Sequence, residues 1–165
     1  MCCLWGARDN DGTIYVYREL YQTRLTDREQ ARRILELSRE DPPVRFTVAD
    51  PSVFSKQPNG TSIAQAWHNA GLRVIPANND RKSGWQRLHQ LLDWNEDKEP
   101  MLKIFSPCRN LIREMGAIQH SKYKPEDIDD SMDEHALDAI RYLTQGGSVR
   151  GGTMRMMDFS IEESA

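Results

Sequence analysis

His135 and Asp138 have the residue types and the spacing that a site for a divalent metal ion requires. The two residues are three positions apart in a predicted helix, so their side chains are neighbours, one turn from each other. An imidazole and a carboxylate at this spacing can bind one ion together. Histidines and carboxylates are also common on solvated helix faces. On this stretch alone, an ordinary surface role is the simpler interpretation.

A third candidate, Asp50, follows a predicted strand at residues 44–49 and precedes Pro51. Functional groups of α/β folds concentrate at the carboxyl ends of strands. A lone Asp-Pro pair more often marks only a turn that ends the strand. If Asp50 and Asp138 converge, however, they offer oxygen ligands that suit Mg²⁺, and an added imidazole also suits Mn²⁺. Two such ions about 4 Å apart can cleave a phosphodiester by in-line attack of water.

The helix that carries His135 and Asp138 is predicted to begin at Ser131. Ser131 and Glu134 have capping-box spacing, and acidic residues crowd the helix end where the dipole is positive. One arc of this helix is apolar and should face a core; it comprises Met132, Ala136, Ala139, Ile140 and Leu143.

The preceding chain predicts a hairpin followed by alternating strands and helices. Residues 2–8 and 13–20 read as two strands joined by a turn that ends in Asp11-Gly12, a strong hairpin signal. A capping box at Thr26 and Glu29 begins a helix that ends before Pro42-Pro43. Further strands are predicted at 44–49, 72–76 and 101–105, with helices between and after them. This order indicates a mixed sheet flanked by helices.

Composition restricts the class of protein. The chain has 165 residues, 38% hydrophobic and 28% charged, which is typical of one soluble globular domain. No apolar run reaches the roughly 20 residues of a membrane span, so no membrane partner is expected. The net charge of −3 argues against a free-standing non-specific DNA binder, which would usually be basic. Any grip on nucleic acid must then be local, metal-assisted or supplied by another domain.

Six motifs occur in the order seen in the nuclease domain of tailed-phage terminase large subunits. They are WGA (5–7), YVYRE (15–19), ADPS (49–52), NDRKSGW (79–85), FSPCRNLIRE (105–114) and DEHALDAIRY (133–142). The resemblance implies a ribonuclease H-like fold related to RuvC resolvases. It also implies a DNA endonuclease that uses two Mg²⁺ or Mn²⁺ ions to cut concatemeric double-stranded viral DNA in the host cytoplasm.

The resemblance also assigns roles to residues. Asp50 matches the family's second catalytic acid and Asp138 its last, so both are expected to bind metal. His135 is expected as a further metal ligand, with Asp133 and Glu134 as auxiliary residues. From its two cations, the polar loop at Arg81 and Lys82 is a candidate DNA contact, although such loops are usually just solvated.

The sequence departs from the family pattern in two respects. The family's first catalytic Asp lies on a central strand roughly a dozen residues before the Trp-Gly pair, and that strand is missing here. No GxxxxGK[ST] motif of the ATPase motor occurs either. We therefore expect an N-terminally truncated nuclease domain over residues 1–144, with its first, central strand lacking, and a flexible tail over 145–165. The expected partners are DNA, the ATPase domain or the missing N-terminal segment, and also the portal and the small terminase subunit.

Two other interpretations remain open. The chain is alternatively a RuvC-like resolvase or transposase nuclease on the same fold, against which its overall acidity speaks. From a different class, it is a fragment or prophage remnant that has lost its chemistry and only docks packaging partners. The missing first acid favours this second alternative.

Overall fold

The computed structural model describes residues 1–58, 60–118, 135–146 and 152–158, the last range by its backbone. The strands are β1 (Cys2–Arg8), β2 (Ile14–Tyr21), β3 (Val44–Ala49), β4 (Ile75–Pro76), β5 (Leu102–Ile104) and β6 (Gly152–Asp158). The helices are α1 (Asp27–Leu37), α2 (Ile63–Asn69), α3 (Arg81–Leu92), α4 (Arg109–Ala117) and α5 (His135–Gln145), with a 3₁₀ turn at Pro51–Phe54. No helix in these ranges is long and apolar enough to cross a membrane.

The strands form one mixed sheet in the order β4-β3-β6-β1-β2-β5. β1 and β2 are the predicted antiparallel hairpin, and Gly12 in its turn has a φ of +94° that favours glycine. β5 runs parallel to β2, and β4 runs parallel to β3. The carboxyl ends of β2, β3, β4 and β5 therefore share one edge of the sheet, and Asp50 lies at that edge.

Helices cover both faces of the sheet, as the alternation of strands and helices predicts. On one face, residues of α3, α4 and α5 pack against Cys2, Leu4, Ile14 and Val16. On the other face, residues of α1 and α2 pack against Cys3, Trp5 and Ala49. This alternation along β1 is the period of two expected for a strand buried on both faces.

Residues 152–158 correct the prediction that a flexible tail extends over 145–165. They form β6, which pairs antiparallel with β1 and parallel with β3. β6 thus occupies the central position that was expected to be lacking, so the sheet is continuous. The backbone groups of β1 and β3 need partners on this side, and the C-terminal segment supplies them. Residues 147–151 and 159–165 lie outside the described ranges.

The described part of α5 begins at His135, not at the predicted Ser131. The proposed capping box of Ser131 and Glu134 lies outside the described residues. The capping box predicted for α1 is confirmed: Thr26 accepts a hydrogen bond from the Glu29 backbone, and the Glu29 side chain accepts one from the Thr26 backbone.

Candidate functional site

Asp50 and Asp138 lie at the two ends of one hydrogen-bond network at the carboxyl end of β3. Tyr142, one turn after Asp138 on α5, donates its hydroxyl proton to Oδ2 of Asp50. The same hydroxyl lies 3.1 Å from Oδ1 of Asn79, in the loop between β4 and α3. Asn79 in turn is within 3.5 Å of Nη2 of Arg141. We call these five residues the Asp50–Asp138 network: Asp50, Tyr142, Asn79, Arg141 and Asp138.

Arg141 neutralises charge at this place. Its side chain is 1% exposed, and it contacts Oδ1 of Asp138 through Nη2 at 2.8 Å and Nε at 3.1 Å. A guanidinium buried beside a carboxylate offsets the repulsion that two neighbouring carboxylates would otherwise exert on each other. Its remaining donor, Nη1, has no hydrogen-bond partner among the described residues.

Gly84 on α3 makes room for the Arg141 side chain. A Cβ atom at position 84 would lie 2.4 Å from Cγ and 2.7 Å from Cδ of Arg141, well inside van der Waals contact. These are stem atoms of a buried side chain, so they cannot move aside freely. The glycine of the NDRKSGW motif therefore acts through packing, by allowing α3 and α5 to approach with Arg141 between them.

The loop that carries Asn79 is attached both to β3 and to α5. The backbone N–H of Ala77 donates to the carbonyl of Ala49 at 2.8 Å. From α5, Nε2 of Gln145 donates to the Asp80 carbonyl at 3.2 Å and to Oγ of Ser83 at 3.0 Å. These bonds hold Asn79 between the end of β3 and α5.

Asp50 has a structural role as well as its place in the network. Its Oδ1 accepts a hydrogen bond of 2.7 Å from the backbone N–H of Ser52 and so caps the 3₁₀ turn that follows β3. The turn interpretation of the Asp-Pro pair is therefore confirmed. It does not exclude the site, because the other carboxylate oxygen is bonded to Tyr142.

Glu114 on α4 fixes the start of α5. Its carboxylate is 3% exposed and accepts hydrogen bonds from the backbone N–H groups of Ala136 at 2.7 Å and Leu137 at 3.2 Å. A carboxylate at a helix N-terminus satisfies free N–H groups and favours the helix dipole. Glu114 thus positions the turn of α5 that carries Asp138.

The other predicted site residues lie around this network. His135 is half-buried beside the Tyr21 ring, with the ring centroids 6.1 Å apart. Arg81 and Lys82 begin α3, directly after its N-cap Asp80, at the same edge of the sheet as Asp50. Asp133 and Glu134 lie outside the described residues.

Sequence reasoning missed Asn79, Arg141, Tyr142, Gly84 and Glu114 as parts of this arrangement. All five lie inside the quoted motifs, which was the available signal. Their roles depend on contacts between distant segments: Tyr142 meets Asp50 across 92 positions of the chain. The predicted helix wheel placed Tyr142 on the polar arc, but its side chain is 1% exposed.

Tyr142 acts as a fixed hydrogen-bond donor. Burial, followed by the hydrogen bond to Asp50, raises the pKa of its hydroxyl well above the ordinary value of 10.0. The phenol therefore keeps its proton at any physiological pH and holds one oxygen of Asp50 in place.

The donor chemistry of the network suits Mg²⁺ or Mn²⁺, because carboxylate and amide oxygens are the ligands that hard cations prefer. The number of donors is small. Among the described side chains, no three His, Cys, Asp or Glu residues form a group that could hold a metal ion. Asp50 and Asp138 would therefore hold such an ion with help from a donor outside this set.

Comparison with solved structures relates this fold to a viral packaging protein. The large terminase from a thermophilic bacteriophage (crystal form 2) matches with a TM-score of 0.67 and 20% identity, over 87% of this chain and 35% of that chain. Crystal form 3 of that protein matches with a TM-score of 0.63 and 21% identity, over 86% of this chain and 35% of that one. A complex of the same protein with ATP-γ-S matches with a TM-score of 0.62 and 18% identity, over 86% and 38% of the two chains.

These matches confirm, at the level of the fold, the resemblance drawn from the motifs. The chain has the ribonuclease H-like mixed α/β fold of a large terminase and spans about a third of the length of that protein, 35% in the first match. The sequence matches no family model and no curated protein.

Proposed function

We propose that this chain is the nuclease domain of a viral DNA-packaging terminase large subunit. Its reaction is Mg²⁺- or Mn²⁺-dependent cleavage of concatemeric double-stranded DNA. The observation that carries the proposal is the Asp50–Asp138 network: the two acids named by the motifs share one hydrogen-bond network. It lies at the strand edge where such folds place their sites.

The residues of the network divide the work. Asp50 and Asp138 would hold metal through carboxylate oxygens, with Asp50 oriented by Ser52 and Tyr142. Arg141 offsets the repulsion between the carboxylates before metal binds. When bound, divalent ions lower the pKa of a water molecule and stabilise the charge that develops on the phosphate.

DNA contacts in this proposal come partly from outside the chain. Arg81 and Lys82 lie at the same edge as Asp50 and would contact phosphates there. The net charge of −3 leaves most of the electrostatic grip to other parts of a packaging complex. The proposed partners are the ATPase domain, the portal and the small terminase subunit, in the host cytoplasm.

A second candidate function is that of a docking component without chemistry. It is favoured by the shortage of ligands, because the described side chains bring only Asp50 and Asp138 together as acids in the network. Such a component would keep the surface of the fold for portal or motor partners and would cut no DNA.

Nicking of supercoiled plasmid in Mn²⁺ tests the proposed function. Asp138→Asn should reduce the nicking rate by more than the about 10–100-fold that loss of even an outer-shell partner of a metal ligand costs. Asp97→Asn, at an exposed loop position, is the matched control and should nick like the wild-type chain. Thermal unfolding of both variants shows whether the fold is intact.

The two functions give opposite results in this assay. Nicking by Asp138→Asn at the wild-type rate would remove Asp138 from the site. A wild-type chain that is folded but shows neither nicking nor any rise of its melting temperature in Mn²⁺ would favour the docking component.

A further inference from the structure

The backbone register places Asp158 beside Asp50. β6 runs parallel to β3, with Met156 opposite Val48 and Met157 opposite Ala49. Asp158 is the last residue of β6, so it stands in register with the residue after Ala49, which is Asp50. Adjacent parallel strands lie about 4.8 Å apart. Two acids from opposite halves of the chain therefore end neighbouring strands at the same edge.

The ladder also determines the face of the sheet on which position 158 lies. Asp158 is opposite Cys2 of β1, and opposed residues of a ladder share a face. Cys2 is fully buried in the core formed by α3, α4 and α5. Position 158 is thus on the face that α5 covers, the face of Asp138 and Tyr142.

Two features of the Asp50–Asp138 network are explained by another carboxylate at this place. Two carboxylates are too few for a pair of divalent ions, which need several converging oxygen ligands. In addition, Nη1 of Arg141 lies in a side chain that is 1% exposed and has no acceptor among the described residues. A buried donor of this kind normally has a partner, and a carboxylate is a strong acceptor for a guanidinium.

We propose that Asp158, carried by the C-terminal strand β6, is the third carboxylate of the metal site at the carboxyl end of β3. The strand that the terminase resemblance places before the Trp-Gly pair is thereby replaced in the sheet by a strand from the other end of the chain. This proposal rests on the proposed nuclease function, because that function requires the metal.

Binding of Mn²⁺, measured by calorimetry and by the electron paramagnetic resonance of free Mn²⁺, tests the proposal without relying on catalysis. The full 165-residue chain is compared with Asp138→Asn, Asp158→Asn and the matched control Glu163→Gln, another acid of the same C-terminal segment. Asp138→Asn and Asp158→Asn should each weaken Mn²⁺ binding by at least about tenfold. Glu163→Gln should bind like the wild-type chain.

The outcomes separate the inference from the function on which it rests. If the wild-type chain binds Mn²⁺ and Asp138→Asn weakens it, while Asp158→Asn matches the Glu163→Gln control, the inference is overturned and the proposed function stands. If the wild-type chain binds no Mn²⁺, both are overturned. Equal weakening by Asp158→Asn and Glu163→Gln would reflect general charge and would also overturn the inference.

A second measurement uses only the wild-type chain and so does not depend on the folding of a variant. Fe²⁺ bound in place of Mn²⁺, with ascorbate and hydrogen peroxide, generates hydroxyl radicals that cut the backbone near the metal. Mass spectrometry should find cuts close to residues 50, 138 and 158, all suppressed by excess Mg²⁺. Cuts near 50 and 138 with none between 152 and 165 would contradict the assignment of Asp158.

Discussion

At the scale of single residues, the candidate site depends on side chains whose polar groups are not accessible to water. Arg141 and Tyr142 are each 1% exposed, yet they are the groups that connect Asp138, Asn79 and Asp50. Buried polar groups of this kind stabilise a structure only when each one is satisfied. The network therefore fixes the two acids, and the loss of one member is expected to affect the others.

The protonation of Tyr142 gives the prediction at this scale. Its pKa is raised in the folded chain, by burial and by the hydrogen bond to Asp50, above the ordinary value of 10.0. Above pH 10 the unfolded chain releases this proton while the folded chain retains it. The free energy of unfolding should then fall with rising pH by about 1.4 kcal/mol per pH unit for this one group. Below pH 10 the contribution is fully present.

Tyrosinate absorbance at 295 nm and chemical unfolding at pH 9 to 11 measure this effect. Tyr142→Phe should remove a phenol that titrates only when the chain unfolds, and its stability should fall less steeply above pH 10. Tyr15→Phe, at a half-buried phenol of β2, is the control. Ionisation of Tyr142 at an ordinary pKa in the folded chain would contradict the network.

At the scale of elements, the seam between α3 and α5 positions Arg141. The seam depends on the absence of a side chain at Gly84, where a Cβ atom would lie 2.4 Å from Cγ of Arg141. Because Arg141 contacts both Asp138 and Asn79, a change in helix packing is transmitted to the site. The glycine is thus a packing residue with consequences for the geometry of both acids.

Paired glycine substitutions test this seam. Gly84→Ala should lower the free energy of unfolding by about 1–3 kcal/mol, the usual cost of overpacking, although alanine favours a helix. Gly116→Ala, in α4 with nothing within 4 Å of the added Cβ, should instead raise it by up to about 1 kcal/mol. Chemical unfolding measures both, and equal effects of the two changes would rule out the close approach.

At the scale of the whole molecule, the C-terminal strand β6 joins two parts of the sheet. β3 and β4 lie on one side of it, and β1, β2 and β5 on the other. The main-chain ladder between these parts runs through β6, so the segment farthest along the chain connects elements from its first half. Asp50 and the hairpin are held in one sheet by this strand.

Hydrogen exchange tests the place of β6 directly. The hydrogen-bonded amides of residues 152–158 should exchange as slowly as those of β1, because both are central strands with a neighbour on each side. The exposed loop between β2 and α1 provides the fast reference in the same sample. Exchange of residues 152–158 at the rate of that loop would show that β6 does not belong to the sheet.

The sequence by itself determined the elements that have local signals. The Asp-Gly turn of the hairpin, the capping box at Thr26 and Glu29, and the strand that ends at Asp50 can each be read within a few residues, because turns and caps are set by nearby side chains. The order of the motifs also predicted the fold and named the two acids that the network connects.

Only the tertiary structure decided which segments meet. That β6 is the central strand, that Arg141 is buried beside Asp138, and that Glu114 caps α5 all depend on contacts between residues far apart in the chain. A strand's own pattern does not specify its neighbour, and a helix wheel cannot tell which polar side chain another helix will cover. The polar, glycine-rich C-terminal segment is a strand here because β1 and β3 present unpaired backbone groups that it can satisfy.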